Sequence, residues 1–380
     1  MNPIDNELLL DLSRRLIQLV TFDPPGNELP AAQLVASVLS DYGIDSELQS
    51  IGENRANVVA RIKGNGNRPA LIFSAHLDTI SVNEADWSVP PFGALVKDGR
   101  LYGRGATDMK AALAAMVVAG IAVKQSNEPL QGDLILAFSA AENSSCLGAK
   151  HMLDSGILDG SGALLVSEPT SLDVFIAEKG ALWLQATAKG EYGHNAFSEN
   201  RTGDRGSAIL RMAEFLCRVR DLKVESPVHP LLGSPTVNVG LIQGGISWPL
   251  IAPECTASID IRTVPGLTAD DVIAQFRAIA GPHVSIELVD VKPPVDTPAE
   301  HPFVDLCVAS VVAERGTQPR VTGVSYYSDA AVLAPALNVP MVIIGPGEVG
   351  KSGSVDEYVE LDKLEASARI FADVALRYLA

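Results

Sequence analysis

The chain is poor in aromatic residues, in cysteine and in charge, and its charge is short of cations. Only 5% of its 380 residues are Phe, Trp or Tyr and 20% are charged, against 47% hydrophobic. An apolar share of that size is ample for a packed core, which excludes a disordered chain. Lys and Arg number 29 against 46 Asp and Glu, a net charge of −17. So large an acid excess leaves no basic face for a polyanion, and no nucleic-acid partner is expected. No apolar run reaches the ~18–20 residues of a membrane span, so no membrane partner is expected either. The longest run, AALAAMVVAGIAVKQS after Lys110, is Ala-rich and reads as a buried helix. The opening MNPIDNELLLDLSRRLIQLV carries Asp5, Glu7 and Asp11 where a secretory leader would carry cations. It is expected to form an amphipathic helix of a soluble protein. Cys146, Cys217, Cys255 and Cys307 are far apart and form no C-x-x-C pair. That usage fits buried thiols in a reducing cytoplasm, without a disulfide scaffold or structural zinc.

What is present is an alternation of short apolar runs with helical patterns. ANVVARI, ALIFSAH, DLILAFSAAE and GALLVSEP are strand-length, and TDMKAALAAMVVAGIAVKQ between them is a helix with Thr107 or Asp108 as its N-cap. This is the pattern of a largely parallel, covered sheet. VPMVIIGPG and the helical KLEASARIFADVALRYL return to it near the C-terminus. The middle differs: ALWLQATAKG, PTVNVGLIQGG and ECTASIDIRTVPG alternate apolar and polar residues, as half-exposed antiparallel strands do. The expected fold is α/β, a mixed, largely parallel domain (residues 1–178 and 294–380) interrupted by an inserted α+β domain (residues 179–293).

Four strand-like runs end in polar or turn residues: His76 with Asp78, Glu142, Glu168, and the turn Gly345-Pro346-Gly347. Any one of these alone reads as an ordinary loop residue. Four arriving at one edge of an open α/β sheet mark the rim where ligands bind.

The segment SAHLDTISVNEADWSVPPFGALVKDGRLYGRGATDMKAALAAM resembles the aminoacylase, acetylornithine deacetylase, succinyl-diaminopimelate desuccinylase and carboxypeptidase G family of metallohydrolases. FSAAENSSCLGAK, VSEPT, TVNVGLIQGG, SIDIR and IIGPGE…DEYVE extend the resemblance in the family's order over nearly the whole chain. The resemblance implies that residues 1–178 and 294–380 form the catalytic domain and 179–293 a lid and dimerisation domain, with His76 and Glu168 as ligands of one metal, Asp108 as a shared ligand, and Asp78 as the carboxylate that orients the imidazole. It implies Glu142 as the general base for metal-bound water. His194 matches a histidine lent across the dimer to stabilise an oxyanion, and Arg262 an arginine that engages a substrate carboxylate or, equally, closes a strand-edge salt bridge.

Two positions depart from the family together. Its Glu-Glu pair reads Glu142-Asn143 here, and its late histidine falls at Gly353, with no histidine after His301. Both ligands private to one ion are thereby lost, which leaves a three-ligand site for a single divalent ion, Zn²⁺ or Mn²⁺. Lys351 and Glu357 are near enough in sequence to enter the vacated place. Asn143, Gly353, Arg262 and Trp248 become candidate substrate contacts. The implied activity is metal-dependent hydrolysis of a C–N bond in a small, carboxylate-bearing amide or N-acyl amino acid, by a cytoplasmic homodimer. Two alternatives stay open: an aminohydrolase that displaces an aryl amine, and an inactive small-molecule-binding homologue.

Overall fold

Apolar runs without a polar face require cover on both sides, and this sets the centre of the fold. The structure, a computed structural model, describes residues 4–197 and 206–380. The chain divides into two compact units: Met1–Ala177 with Val295–Gly323 and Ser328–Ala380, and Glu178–Pro294 with Val324–Tyr327.

In the first unit, strands Ala70–His76 and Leu134–Ser139 are buried at every position. They run parallel and adjacent in a nine-stranded sheet, and Ser161–Val166 and Met341–Ile343 continue the parallel series on the other side of Ala70–His76. Arg55–Ile62 and then Ser46–Gly52 add antiparallel beyond Leu134–Ser139, and Val174–Glu178 pairs antiparallel with Met341–Ile343. The sheet is therefore mixed and largely parallel at its centre, as the run pattern implies.

Helix Lys110–Ser126 is buried from Lys110 through Val123, and its small Ala residues admit Asn6–Gln18 and Leu361–Leu379 against it. Neither Thr107 nor Asp108 caps it; the cap is Met109. The Thr107 hydroxyl instead donates to the Tyr358 carbonyl, and the Asp108 carboxylate meets His76 and Ser352. The opening helix, Asn6–Gln18, is capped by the Asp5 carboxylate, which accepts from Leu8 N–H at 2.9 Å, and it buries Leu9, Leu12, Leu16 and Ile17. No helix of the described residues is long and apolar enough to cross a membrane. Cys146, Cys255 and Cys307 are buried; Cys217 is exposed, contrary to the expectation.

In the second unit, four antiparallel strands lie in the order Thr236–Gly244, Glu254–Thr263, Gly180–Lys189, Val284–Lys292. Alternate residues of Gly180–Lys189 are buried, and helices Ala208–Asp221 and Ala269–Ala280 supply Phe215 and Phe276 to the same core. The second helix starts at a reciprocal cap between Thr268 and Asp271.

Phe73 of the central strand and Phe371 of helix Leu361–Leu379 are fully buried with ring centroids 6.0 Å apart. Phe371→Ala is expected to lower the unfolding free energy by about 3–5 kcal/mol in urea titration. A loss under about 1 kcal/mol would show that the site refills by collapse.

Candidate active site

The parallel strands deliver their last residues to one edge. His76 ends its strand, and Glu168 follows two residues after Ser161–Val166. His76 Nε2 lies 2.9 Å from Asp108 Oδ1 and 3.6 Å from Glu168 Oε1. Donor atoms of His76, Asp108 and Glu168 all fall within 4.8 Å of one another, close enough to share one cation. His76 Nδ1 faces the Asp78 backbone carbonyl at 3.0 Å, nearer than the Asp78 carboxylate at 3.6 Å. The carbonyl is thus the nearer of the two groups that fix the ring and leave Nε2 facing the acids.

The Asp78 carboxylate is turned to the neighbouring loop. It accepts from Glu142 N–H at 3.1 Å, from Asn143 N–H at 3.0 Å and from the Asn143 side-chain amide at 2.8 Å. The second oxygen of Asp108 accepts from the Ser352 hydroxyl. Glu357 Oε1 accepts from the N–H groups of Gly105, Thr107 and Asp108 at 3.1, 2.9 and 3.1 Å, while its other oxygen pairs with Arg104. Arg104 in turn donates to the Gly353 carbonyl at 3.1 Å. Glu357 therefore braces the loop that carries Asp108, and Lys351 Nζ sits over the Tyr358 ring at 5.8 Å.

Gly353 has φ +70°, and a Cβ added there would come within 2.8 Å of Ile80 Cδ1. A small cleft has His76, Asp108 and Asn143 on its wall together with Ile80, Arg104 and Gly353. One donor set, His76, Asp108 and Glu168, is complete. At positions 143 and 353 the donors of a second set are absent: an amide committed to Asp78 and a residue with no side chain.

Burial and crowding of like charge govern the electrostatics. Burial disfavours a charged His76, but its hydrogen bond to Asp108 and the charges of Asp78, Asp108 and Glu168 carry it well above the ordinary histidine value. Burial also opposes ionisation of Asp108, yet the His76 contact outweighs it and the carboxyl is held low. Glu142 is driven well up by burial, against the pull of His76 and with added repulsion from Asp329, Asp78 and Asp108. Asp329, hydrogen-bonded to the Ser139 hydroxyl, is raised by burial to about 6, and Glu357 likewise to about 7.

The profile of peptidase family M20/M25/M40 matches residues 72–377. The chain belongs to this family. It is 30% identical to a Staphylococcus aureus (strain MSSA476) probable succinyl-diaminopimelate desuccinylase, over 100% of this chain and 99% of the relative. Its fold is that of a Sulfolobus solfataricus M20 family metallo-carboxypeptidase (TM-score 0.82, 18% identity, 97% and 99% of the two chains). A Bacillus subtilis dinuclear metal-binding peptidase of the M20 family is also similar in fold (TM-score 0.72, 16% identity, 98% of each chain). Membership of peptidase family M20/M25/M40 makes the chain a hydrolase of carbon–nitrogen bonds, as the motifs imply.

The M20 chain thus brings His76, Asp78, Asp108, Glu142, Asn143, Glu168 and Gly353 together in its first unit. His194, Trp248 and Arg262 belong to the second. His194 is exposed and accepts from Ala196 N–H at 3.1 Å; Trp248 is fully exposed. Arg262 Nε donates to Asp260, two residues earlier on the same strand, at 3.0 Å, and its guanidinium lies 5.3 Å over Tyr327. Sequence reasoning missed Arg104 and Asp329. Arg104 stands in the same GRGATDMK motif, where its basic type among small residues was the available signal.

An ion entering this cluster must displace the proton that the acids hold on His76. Its apparent affinity is expected to weaken as pH falls below the raised His76 value, with proton release on binding, read by calorimetry in buffers of unlike ionisation heat. In the metal-free protein the imidazolium contacts stabilise the fold fully below about pH 6.5, and that contribution is lost as pH rises through the folded value. Metal affinity unchanged between about pH 6 and pH 8 would place the ion elsewhere.

Proposed function

We propose that the chain hydrolyses the amide bond of a small N-acyl amino acid with one divalent ion, Zn²⁺ or Mn²⁺, held by His76, Asp108 and Glu168. The observation that carries this reading is the contrast between one complete donor set and positions 143 and 353, where an amide, a poor replacement for a carboxylate, and a glycine stand. One imidazole and two carboxylates leave a coordination position open, as in catalytic sites, and the oxygen-rich set suits Zn²⁺ or Mn²⁺. When bound, the ion supplies Lewis acidity to the substrate carbonyl and acidity to water.

The remaining chemistry belongs to side chains. Glu142 takes a proton from the attacking water and passes it to the leaving nitrogen. Its burial among acids supports this role, because a carboxyl raised above its ordinary pKa is a stronger proton acceptor that can still return the proton. Asp78 orients both partners, His76 through its carbonyl and the Glu142–Asn143 turn through its carboxylate. His194 donates to the oxyanion of a neighbouring subunit's substrate. Arg262 is assigned to the substrate carboxylate, which its planar fork suits, and Trp248 to the acyl or side-chain portion. The choice of an N-acyl amino acid draws support from the Staphylococcus aureus relative's name.

The protein is further proposed to be a cytoplasmic homodimer. Strand Thr236–Gly244 is an outer strand of its sheet and exposes Leu241 (62%) and Ile242 (55%), an edge of the kind that pairs with a second copy.

Metal analysis of the purified protein is expected to give one ion per chain, and two would refute the single-ion reading. Glu142→Gln should lower kcat on an N-acyl amino acid panel by about 10²–10⁴-fold with metal content unchanged. Undiminished turnover would remove Glu142 from the mechanism. Light scattering should report a dimer that Leu241→Glu with Ile242→Lys converts to monomer; a monomeric wild type would refute the dimer and the role of His194.

A further inference from the structure

A second group of acids, Asp23, Glu28 and Asp78, also brings its oxygens within 4.8 Å of one another, and all three are buried. A cation is already present among them. Arg55 grips Glu28 with two contacts, Nε at 3.0 Å and Nη2 at 2.5 Å, and reaches Asp23 Oδ1 through Nη2 at 3.0 Å. The chain makes room for this guanidinium. Gly26 has φ +100°, and a Cβ there would fall 2.2 Å from Arg55 Nε.

These acids face the loop that carries Glu142. Glu28 Oε1 accepts from Ala141 N–H at 3.2 Å, and Asp23 Oδ1 accepts from the Ser144 hydroxyl at 2.7 Å. Asp78 takes the N–H groups of Glu142 and Asn143 between them. Each of the four consecutive residues 141–144 is therefore held by a buried carboxylate. The loop needs holding, because Ala141 and Ser145 have φ of 64° and 75°, in the left-handed region that non-glycine residues disfavour.

We infer that Arg55 is a positioning residue for the general base: by fixing Glu28 and Asp23 it clamps both flanks of the Glu142–Asn143 turn. This inference rests on the assignment of Glu142 as base. Arg55 touches neither substrate nor the donor cluster of His76, Asp108 and Glu168. Its loss would leave two buried acids without their cation and let the turn relax toward ordinary backbone angles, displacing the Glu142 carboxylate.

The test compares Arg55→Met and Arg55→Lys in the full-length, metal-loaded protein. Displacement of a reacting group by about 1 Å costs up to about 10²-fold, so Arg55→Met is expected to lower kcat by about 10–100-fold. KM should stay within about twofold, since ground-state binding is untouched, and metal content should match wild type. Arg55→Lys should recover part of kcat. Wild-type kcat in a folded Arg55→Met protein would overturn the inference, as would loss of metal in step with activity. Should Arg55→Met fail to fold, Ser144→Ala removes only the Asp23 contact; a severalfold fall in kcat at constant KM supports the clamp, and an unchanged kcat overturns it. Glu142→Gln separates the two levels: if it is active, the base assignment itself fails, whereas an inactive Glu142→Gln beside a fully active Arg55→Met defeats the clamp alone.

Discussion

Asp78 is the residue on which the rest of the site depends, because its two polar groups serve two different jobs. Its carbonyl sets the His76 ring, and its carboxylate holds the turn bearing Glu142 and Asn143. Sheet register makes this possible. His76 lies opposite Ser139 on the adjacent parallel strand, so the residues just beyond the two strand ends, 78 and 142, emerge side by side. A fully buried carboxylate is tolerated there because three N–H donors meet it, and removing it would orphan those donors at about 1–3 kcal/mol each.

The same edge concentrates charge of one sign. Asp78, Asp108, Glu142, Glu168, Asp329 and Glu357 converge on a volume whose nearby cations are His76, Arg104 and the buried Lys110. Burial lowers the Lys110 ammonium to about 7 while Asp78, Glu357 and Glu28 pull it upward. The upward displacements of Glu142, Asp329 and Glu357 share one leading cause, burial, to which the excess of carboxylates over cations at this edge adds. A divalent ion would relieve that excess where it is densest. Protons serve the same end in its absence, which is why metal and pH act on one equilibrium here.

The parallel core was legible because its strands are uninterrupted apolar runs, and His76, Asp108, Glu142 and Glu168 stood out because each ends a run or sits in a dense local motif. What sequence reading missed are contacts between distant segments. Glu357 meets Arg104 across 253 positions, Asp329 meets Ser139 across 190, and Glu28 meets Ala141 across 113. An acid in a loop has no local periodicity to betray such a partner. The N-cap of Lys110–Ser126 failed for a related reason: Thr107 and Asp108 have capping chemistry, but tertiary partners claim both side chains before the helix begins.

The departures at positions 143 and 353, read together in the sequence as ligands of one ion, belong in the structure to one wall. Asn143 turns its amide to Asp78, Ser352 takes the spare oxygen of Asp108, and Ile80 stands where a side chain on residue 353 would begin. A histidine at 353 would face both that contact and a backbone angle of +70°. A carboxylate at 143 would bring a negative charge against Asp78, in place of the amide donor that Asp78 now accepts. Restoring a ligand at either position would therefore press on a neighbour, the Asp78 carboxylate at 143 and the flexible end of the Ile80 side chain at 353.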